Sequence, residues 1–216
     1  MNALTDPRVA GALETLYAEA ARDGERWAAR REQQARDTRA GTPAQPESLV
    51  RMGEFYLGVS RQEGELLYLL ARSSKANCIV EFGASYGIST LYLGAAARDN
   101  GGRLITTEIH PDKCRATRQT LADAGLEDSV TLLEGDALVT LNDVTGPIDM
   151  VLLDGWKSLY LPVLELLRPK LSVGAVVAAD NIDHEAAQDY VAAIRSPRSG
   201  FFNVTFGEME LSCFAG

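Results

Sequence analysis

The sequence is poor in the residues that bind transition metals or cross-link chains. Its 216 residues include only three cysteines and two histidines. Cys78, Cys114 and Cys213 are odd in number and have no CxxC spacing, which predicts reduced thiols in a cytoplasmic protein. With only His110 and His184 available, a zinc site of the usual histidine and cysteine type is nearly excluded. Any bound metal must therefore take carboxylate and amide ligands.

Long apolar runs and a surplus of basic residues are also absent. No apolar run approaches the roughly 18 residues of a membrane-spanning helix, and no secretory signal segment is recognised at the N-terminus. The chain has 21 Lys plus Arg against 30 Asp plus Glu, so its net charge is −9 at pH 7. Nucleic acid is therefore not expected as the main partner, because binding to phosphates requires an excess of basic side chains.

The first 40 residues form a segment of distinct character, with seven arginines and seven acidic residues. Leu13, Leu16, Tyr17 and Ala20 recur at helical spacing, whereas residues 22–39 are charged on nearly every side. Two interpretations remain open: helices that cap the domain of their own chain, or an arm that packs on a second subunit in a homodimer. Residues 41–46 predict a linker. We therefore expect an N-terminal helical arm and linker over 1–46 and one domain over 47–216.

From residue 78 onward, short β-branched runs alternate with helical patterns. The predicted strands cover 78–82, 103–108, 130–133, 148–153 and 174–179, and the predicted helices cover 88–98, 111–124, 137–142, 159–167 and 185–195. Such alternation predicts an α/β fold with a mostly parallel sheet and helices on both faces. Two adjacent runs, 202–206 and 208–214, predict a closing antiparallel hairpin and bring the sheet to seven strands.

The first predicted strand leads into a glycine-rich turn with Gly83 and Gly87. Glycine lets the backbone approach a ligand closely, and the following helix offers free N–H groups at its start. There Ser89 can bind a carboxylate, and Glu108 at the end of the second strand can accept ribose hydroxyls. Glu81 would repel a pyrophosphate but suit an ammonium group. S-adenosylmethionine is a ligand that has a ribose, a carboxylate and an ammonium group together. A tight turn that binds no ligand is the alternative interpretation.

Two further predicted strands end in polar side chains. Asp154 follows the strand at 148–153, with Lys157 three residues later, and Asp180 and Asn181 follow the strand at 174–179. In a parallel sheet these ends face the ligand crevice. Two carboxylates and an amide oxygen suit Mg²⁺, with Mn²⁺ or Ca²⁺ as alternatives. Simple capping of the following helices is the competing interpretation.

Three stretches, residues 102–112, 148–162 and 178–181, resemble the cation-dependent catechol O-methyltransferase-type family of class I S-adenosylmethionine methyltransferases. The resemblance covers about residues 52–195 and returns in the last strand. It implies a Rossmann-like class I methyltransferase fold. It also implies methyl transfer from S-adenosylmethionine to a hydroxyl of a catechol-like phenolic molecule. An acceptor other than a catechol and a non-catalytic cofactor-binding protein are the alternatives.

The resemblance also implies roles for individual residues. Asp154, Asp180 and Asn181 would be the metal ligands, and Lys157 the general base. The implied cofactor-binding residues are Leu57, Val59, Glu81, Gly83, Ser89, Glu108, Asp136, Ala137, Asp154 and Trp156. Phe55 would form an aromatic wall of the acceptor site, with ordinary core packing as the alternative. After Asn181 the sequence lacks the proline of the catechol enzymes, which leaves the identity of the acceptor open.

Overall fold

A computed structural model describes residues 2–39 and 52–216 of the chain. The predicted linker at 41–46 and the boundary after residue 46 lie outside these ranges. The strands are β1 (Cys78–Phe82), β2 (Arg103–Glu108), β3 (Val130–Glu134), β4 (Ile148–Leu153), β5 (Leu171–Ala179), β6 (Phe201–Phe206) and β7 (Met209–Phe214). The helices are α1 (Pro7–Ala20), α2 (Asp23–Arg39), α3 (Arg61–Ser73), α4 (Ile88–Asn100), α5 (Pro111–Ala124), α6 (Ala137–Thr140), α7 (Tyr160–Leu167) and α8 (Gln188–Ile194).

The seven strands form one sheet in the order β3-β2-β1-β4-β5-β7-β6. Strands β1 to β5 pair in parallel, and β7 pairs antiparallel with both β5 and β6. The predicted mostly parallel sheet with a C-terminal antiparallel hairpin is therefore confirmed. Because the chain proceeds outward from β1 to β3 and then returns to β4, the carboxyl ends of β1 and β4 border a crevice where ligands bind in such sheets.

Some predicted element boundaries differ from the observed ones. Strand β5 starts at Leu171 instead of 174 because it continues through an irregularity in its pairing with β4, near Gly174 with its φ of +87°. The helices predicted to start at 159 and 185 are preceded by short 3₁₀ turns, Lys157–Leu159 and Glu185–Ala187. Helix α3 was not predicted, although Ser60 and Glu63 form a capping box at its start.

Both faces of the sheet are covered by helices, and each face has its own apolar cluster. One cluster includes Leu91 and Leu93 of α4 together with Leu67 of α3. The opposite cluster includes Val163 of α7 and Ile194 of α8. These residues are almost entirely buried, so both layers hold the strand ends rigidly. Within 2–39 and 52–216, no helix is both long enough and apolar enough to cross a bilayer.

The N-terminal helices pack on the domain of their own chain. Val9, Leu13 and Leu16 of α1 are buried, and α1 contacts α4 and α5. This arrangement matches the interpretation in which the helices cap the domain. The homodimer stays a prediction, which light scattering on the full chain would test.

Replacing Leu13 by alanine tests the packing of α1. Because Leu13 is only 6% exposed, the free energy of unfolding in urea should fall by about 2–3 kcal/mol. Thr15→Ala, at an exposed position on the same helix, serves as the control and should change it by about 0.5 kcal/mol at most. Equal effects of the two substitutions would mean that α1 does not pack on the domain in solution.

Candidate active site

A cavity of about 780 Å³ lies at the carboxyl ends of β1, β2, β4 and β5. Nine of the residues that the sequence analysis singled out line it. They are Leu57, Gly83, Glu108, Asp136, Ala137, Asp154, Trp156, Lys157 and Asn181. Four others, Val59, Glu81, Ser89 and Asp180, are buried and do not line the cavity. The sheet therefore gathers most of the predicted site at one edge.

The turn between β1 and α4 can approach the end of β4 only because residue 83 is glycine. Gly83 has a φ of +102°, and a Cβ there would lie 2.7 Å from the carbonyl oxygen of Asp154 and 2.7 Å from Cα of Gly155. The neighbouring strands are joined here by a hydrogen bond from the N–H of Asp154 to the carbonyl oxygen of Phe82, 2.9 Å long. The sequence predicted that glycine here lets the backbone approach a ligand closely. In the structure, the close approach at Gly83 is between two parts of the chain, the turn after β1 and the end of β4.

Glu81 and Ser89 lie in the interior beside this turn. The carboxylate of Glu81 accepts a hydrogen bond from Oγ1 of Thr90 through Oε2 (2.6 Å), whereas its Oε1 has no hydrogen-bond partner among the described residues. Burial raises the pKa of Glu81, and the neighbouring hydroxyls of Ser89, Thr106 and Thr90 oppose that effect. A buried carboxylate with an unpartnered oxygen fits a site that binds a cationic group nearby.

Glu108 at the end of β2 is held by three backbone N–H groups. Oε2 accepts from Ser85 (2.9 Å), and Oε1 accepts from Ile109 and His110 (2.8 Å each). These bonds fix the carboxylate at the cavity wall. Carboxylate oxygens can each accept more than one hydrogen bond, so ribose hydroxyls can still bind there. Asp136, by contrast, accepts from the N–H of Leu138 (2.9 Å) and caps α6 while it lines the cavity.

The carboxylates after β4 and β5 lie in a region with little positive charge. Nζ of Lys157 is 3.0 Å from Oδ1 of Asp154, and both side chains are largely buried. Burial raises the pKa of Asp154 to about 6, although the charge of Lys157 lowers it. Burial and the negative charge of Asp154 raise the pKa of Asp180 to about 7. Without a bound cation, burial therefore disfavours ionisation of the carboxyl groups of Asp154 and Asp180.

Asn181 occupies a left-handed backbone conformation, with a φ of +50°. Its N–H donates to Oδ1 of Asp180 (2.8 Å), and its side chain lies at the cavity wall. Across the described parts of the chain, no three His, Cys, Asp or Glu side chains meet as a metal site. The predicted donor set contains only two carboxylates and takes its third oxygen from an amide. Two buried carboxylates with raised pKa values and an adjacent amide fit a hard divalent cation.

Comparison with known proteins places the chain in a family. A family model described as a methyltransferase domain matches residues 80–182. The catechol O-methyltransferase of pig (Sus scrofa) is 33% identical over 145 residues, which are 63% of this chain and 77% of that protein. The chain belongs to the catechol O-methyltransferase family. Its members are class I S-adenosylmethionine-dependent methyltransferases, so the predicted family and fold class are confirmed.

Further relatives extend the comparison. Mouse catechol O-methyltransferase (Mus musculus) is 33% identical over 172 residues, or 73% of this chain, and the chain spans 64% of the mouse protein's length. The crystal structure of the O-methyltransferase TomG from Streptomyces achromogenes, in complex with S-adenosylmethionine, is 28% identical with a TM-score of 0.67. That match covers 80% of this chain and 92% of TomG.

In this member of the catechol O-methyltransferase family, Phe55 does not line the cavity. It is fully buried and stacks on Trp27 of α2, with 4.0 Å between the ring centroids. The aromatic wall expected from Phe55 is therefore wrong in this structure, because Trp27 covers the ring and itself lines the cavity. In the sequence, the i, i+3 and i+4 spacing of Asp23, Arg26 and Trp27 puts them on one face of α2. This spacing was the available signal that Trp27 packs toward the domain.

Several other cavity residues were not singled out by the sequence analysis. They are Met52, Ser85, Thr107, Ile109, Lys113, Gly135 and Ser158, together with Leu159 and Ala186. His110 and His184 also line the cavity, where the side chain of His184 is exposed. Each histidine also accepts a backbone N–H through Nδ1, from Asp112 and Ala186 respectively. These bonds leave Nε2 as the remaining polar atom of each ring.

Replacing Gly83 by alanine tests the close approach of the two strand ends. Gly101→Ala is the matched control, since Gly101 also has a positive φ (+70°), but a Cβ there would meet no atom within 4 Å. The control should cost about 1 kcal/mol of unfolding free energy through backbone strain alone. Gly83→Ala should cost about 2 kcal/mol more, because its Cβ meets backbone atoms. Similar losses in urea unfolding would contradict the tight packing.

Proposed function

We propose that this protein transfers the methyl group of S-adenosylmethionine to a hydroxyl of a catechol-like phenolic acceptor, with a divalent cation. The observation that carries the proposal is the placement of Asp154, Lys157 and Asn181 on the same cavity as Gly83 and Glu108. The first group would hold the acceptor and the second the methyl donor. Membership of the catechol O-methyltransferase family supports this reaction.

The cofactor end of the cavity has the groups that a nucleoside with an amino-acid tail requires. Glu108 would accept the ribose hydroxyls, and Gly83 leaves room for the tail beside the turn. Asp136, Ala137 and Trp156 would surround the adenine ring. A volume of about 780 Å³ lies within the range of ligand sites and leaves space for an aromatic acceptor. TomG, whose structure contains S-adenosylmethionine, supports the same ligand here.

Asp154, Asp180 and Asn181 would hold the cation, Mg²⁺ in preference to Mn²⁺ or Ca²⁺. When bound, such an ion would supply Lewis acidity that favours loss of the acceptor's hydroxyl proton. The carboxylates of Asp154 and Asp180 provide the negative charge that attracts it. Lys157 provides one positive charge beside Asp154, at 3.0 Å. Since that charge balances only one of the two carboxylates, the site is suited to a divalent cation in addition to the ammonium group of Lys157.

Lys157 would act on the acceptor hydroxyl as the general base. The residue lines the cavity, and in the neutral form its amine can accept a proton from that hydroxyl. The deprotonated oxygen would then attack the sulfonium methyl group in line with the methyl–sulfur bond, which breaks as the oxygen–methyl bond forms and releases S-adenosylhomocysteine. Alignment of the two reactants by the rigid strand ends supplies much of the rate enhancement.

A related candidate is the same reaction on an acceptor with adjacent oxygens that is not a catechol. The observation that favours it is the presence of His184 in the cavity lining, close after Asn181. The segment from Ile182 to Glu185 lacks the proline expected from the catechol enzymes. An imidazole offers a hydrogen bond at this edge, where a proline offers an apolar surface.

Cation removal tests the proposed reaction. With labelled S-adenosylmethionine and 1,2-dihydroxybenzene, we expect methyl transfer in Mg²⁺, loss of more than about 100-fold in EDTA, and recovery on adding Mg²⁺ in excess. The 1,3 isomer is the matched acceptor, and it should be methylated poorly because its oxygens cannot both reach one cation. Undiminished transfer in EDTA would contradict the cation, and equal transfer to the two isomers would contradict the catechol-like acceptor.

Two substitutions of Lys157 separate its possible roles. Lys157→Met removes both charge and base, whereas Lys157→Arg keeps the positive charge beside Asp154 but cannot accept a proton. If Lys157 is the general base, both variants should lose about 100-fold or more in kcat. Binding of S-adenosylhomocysteine, measured by calorimetry, should be nearly unchanged in both. Recovery of kcat in the arginine variant would show that Lys157 serves only as the partner of Asp154.

A further inference from the structure

A buried lysine lies at the cofactor end of the cavity. Lys113 is the third residue of α5, is 4% exposed and lines the cavity. Its Nζ donates a hydrogen bond to Oγ of Ser85 (3.0 Å) and lies 5.5 Å from the ring centroid of Tyr86. Lysine is among the residues least often buried without a partner of opposite charge. Its position therefore requires an explanation.

Within the described ranges, the charge of Lys113 is not balanced by a contacting carboxylate. No residue there forms a salt bridge with it, and Oγ of Ser85 is its one hydrogen-bond partner. Burial lowers the pKa of Lys113, while the negative charges of Glu108 and Asp23 oppose this. An ammonium group has three donors, so two remain for a ligand. Leaving them unused in a largely buried position would be costly.

Ser85 connects Lys113 to Glu108. The N–H of Ser85 donates to Oε2 of Glu108 (2.9 Å), and its hydroxyl accepts from Lys113 and donates to the carbonyl oxygen of Tyr56 (2.6 Å). Ser85 has a φ of +48°, a left-handed conformation that these bonds help to hold. An acceptor group and a donor group thus flank a single turn residue, and both residues line the same cavity.

A vicinal diol matches this pair of groups. Each hydroxyl of a ribose can donate one hydrogen bond and accept others. A carboxylate can take the hydroxyl hydrogens, and a nearby ammonium can donate to a hydroxyl oxygen. The ligand would then lie between two opposite charges that do not contact each other. This arrangement satisfies the unused donors of Lys113 without moving the fixed carboxylate of Glu108.

We propose that Lys113 is a further cofactor-binding residue, which donates a hydrogen bond to a ribose hydroxyl oxygen of S-adenosylmethionine while Glu108 accepts the hydroxyl hydrogens. This inference rests on the proposed function, since it requires the nucleoside to bind at this end of the cavity. It adds a selective contact for ribose over deoxyribose. A charged hydrogen bond of this kind is stronger than a neutral one.

Calorimetry with S-adenosylhomocysteine tests the contact directly. Lys113→Met should raise Kd about tenfold relative to the unchanged protein, the size expected for a charge-assisted hydrogen bond. Lys75→Met is the matched control, because Lys75 is exposed and lies outside the cavity lining. The control should leave Kd unchanged. Equal Kd values for the unchanged protein and Lys113→Met would overturn the proposal.

Deoxy analogues separate a direct contact from a structural effect. With 2′-deoxy- and 3′-deoxy-S-adenosylhomocysteine, the analogue that lacks the contacted hydroxyl should bind the unchanged protein and Lys113→Met almost equally. The other analogue should keep the roughly tenfold difference. If the methionine variant loses the same factor for all three ligands, Lys113 acts only through Ser85 and the turn, and the proposal is wrong.

Two further measurements cover the remaining outcomes. If Lys113→Met fails to give the circular dichroism spectrum of the unchanged protein, Lys113→Arg takes its place. Arginine keeps the charge, but its larger head group cannot place a donor where the lysine ammonium lies, so Lys113→Arg should also bind S-adenosylhomocysteine more weakly. This difference in affinity from the unchanged protein should disappear with the deoxy analogue that lacks the contacted hydroxyl. Failure of the unchanged protein to bind S-adenosylhomocysteine would overturn the proposed function itself. Normal binding with no effect at Lys113 would overturn this inference alone.

Discussion

The site depends on the close approach of the backbone after β1 to the backbone after β4. Gly83 and Gly155 both lie at this contact, where a Cβ at Gly83 would meet backbone of Asp154 and one at Gly155 would lie 2.5 Å from the ring of Phe82. The approach sets Asp154 beside the turn that leads into α4. The groups that would hold a methyl donor and those that would hold its acceptor therefore share one rigid frame.

Charge is distributed unequally along the cavity that this frame creates. At the acceptor end, burial raises the pKa values of Asp154 and Asp180, the charge of Asp154 raises that of Asp180 further, and Lys157 is the nearby cation. At the cofactor end, Glu108 is held by backbone N–H groups, and Lys113 stands apart from it. The first arrangement favours a metal ion, because its negative charge is only partly compensated. The second favours a neutral polar ligand that bridges the two groups.

The sequence was sufficient to predict the strands and the residues at their ends. Alternation of β-branched and helical patterns predicted the parallel sheet, and any such sheet brings Gly83, Asp154 and Asn181 to one edge. It was insufficient where tertiary contacts decide exposure. The position of Phe55 was left open between an aromatic wall and core packing, because its stacking partner Trp27 comes from a distant helix whose charged pattern gives little indication of this contact. Lys113 was overlooked because no local pattern marks a lysine as buried.

The N-terminal helices matter for the site through the segment that they hold in place. The carboxylate of Asp23 in α2 accepts the N–H groups of Tyr56 (2.9 Å) and Leu57 (3.1 Å), and Leu57 has a strained φ of +47°. Oγ of Ser85 donates to the carbonyl oxygen of Tyr56 from the turn after β1. The cavity wall at Leu57 is thus fixed between α2 and that turn. Both attachments are hydrogen bonds to the backbone, and the buried ring of Phe55, stacked on Trp27, adds a side-chain contact between this segment and α2.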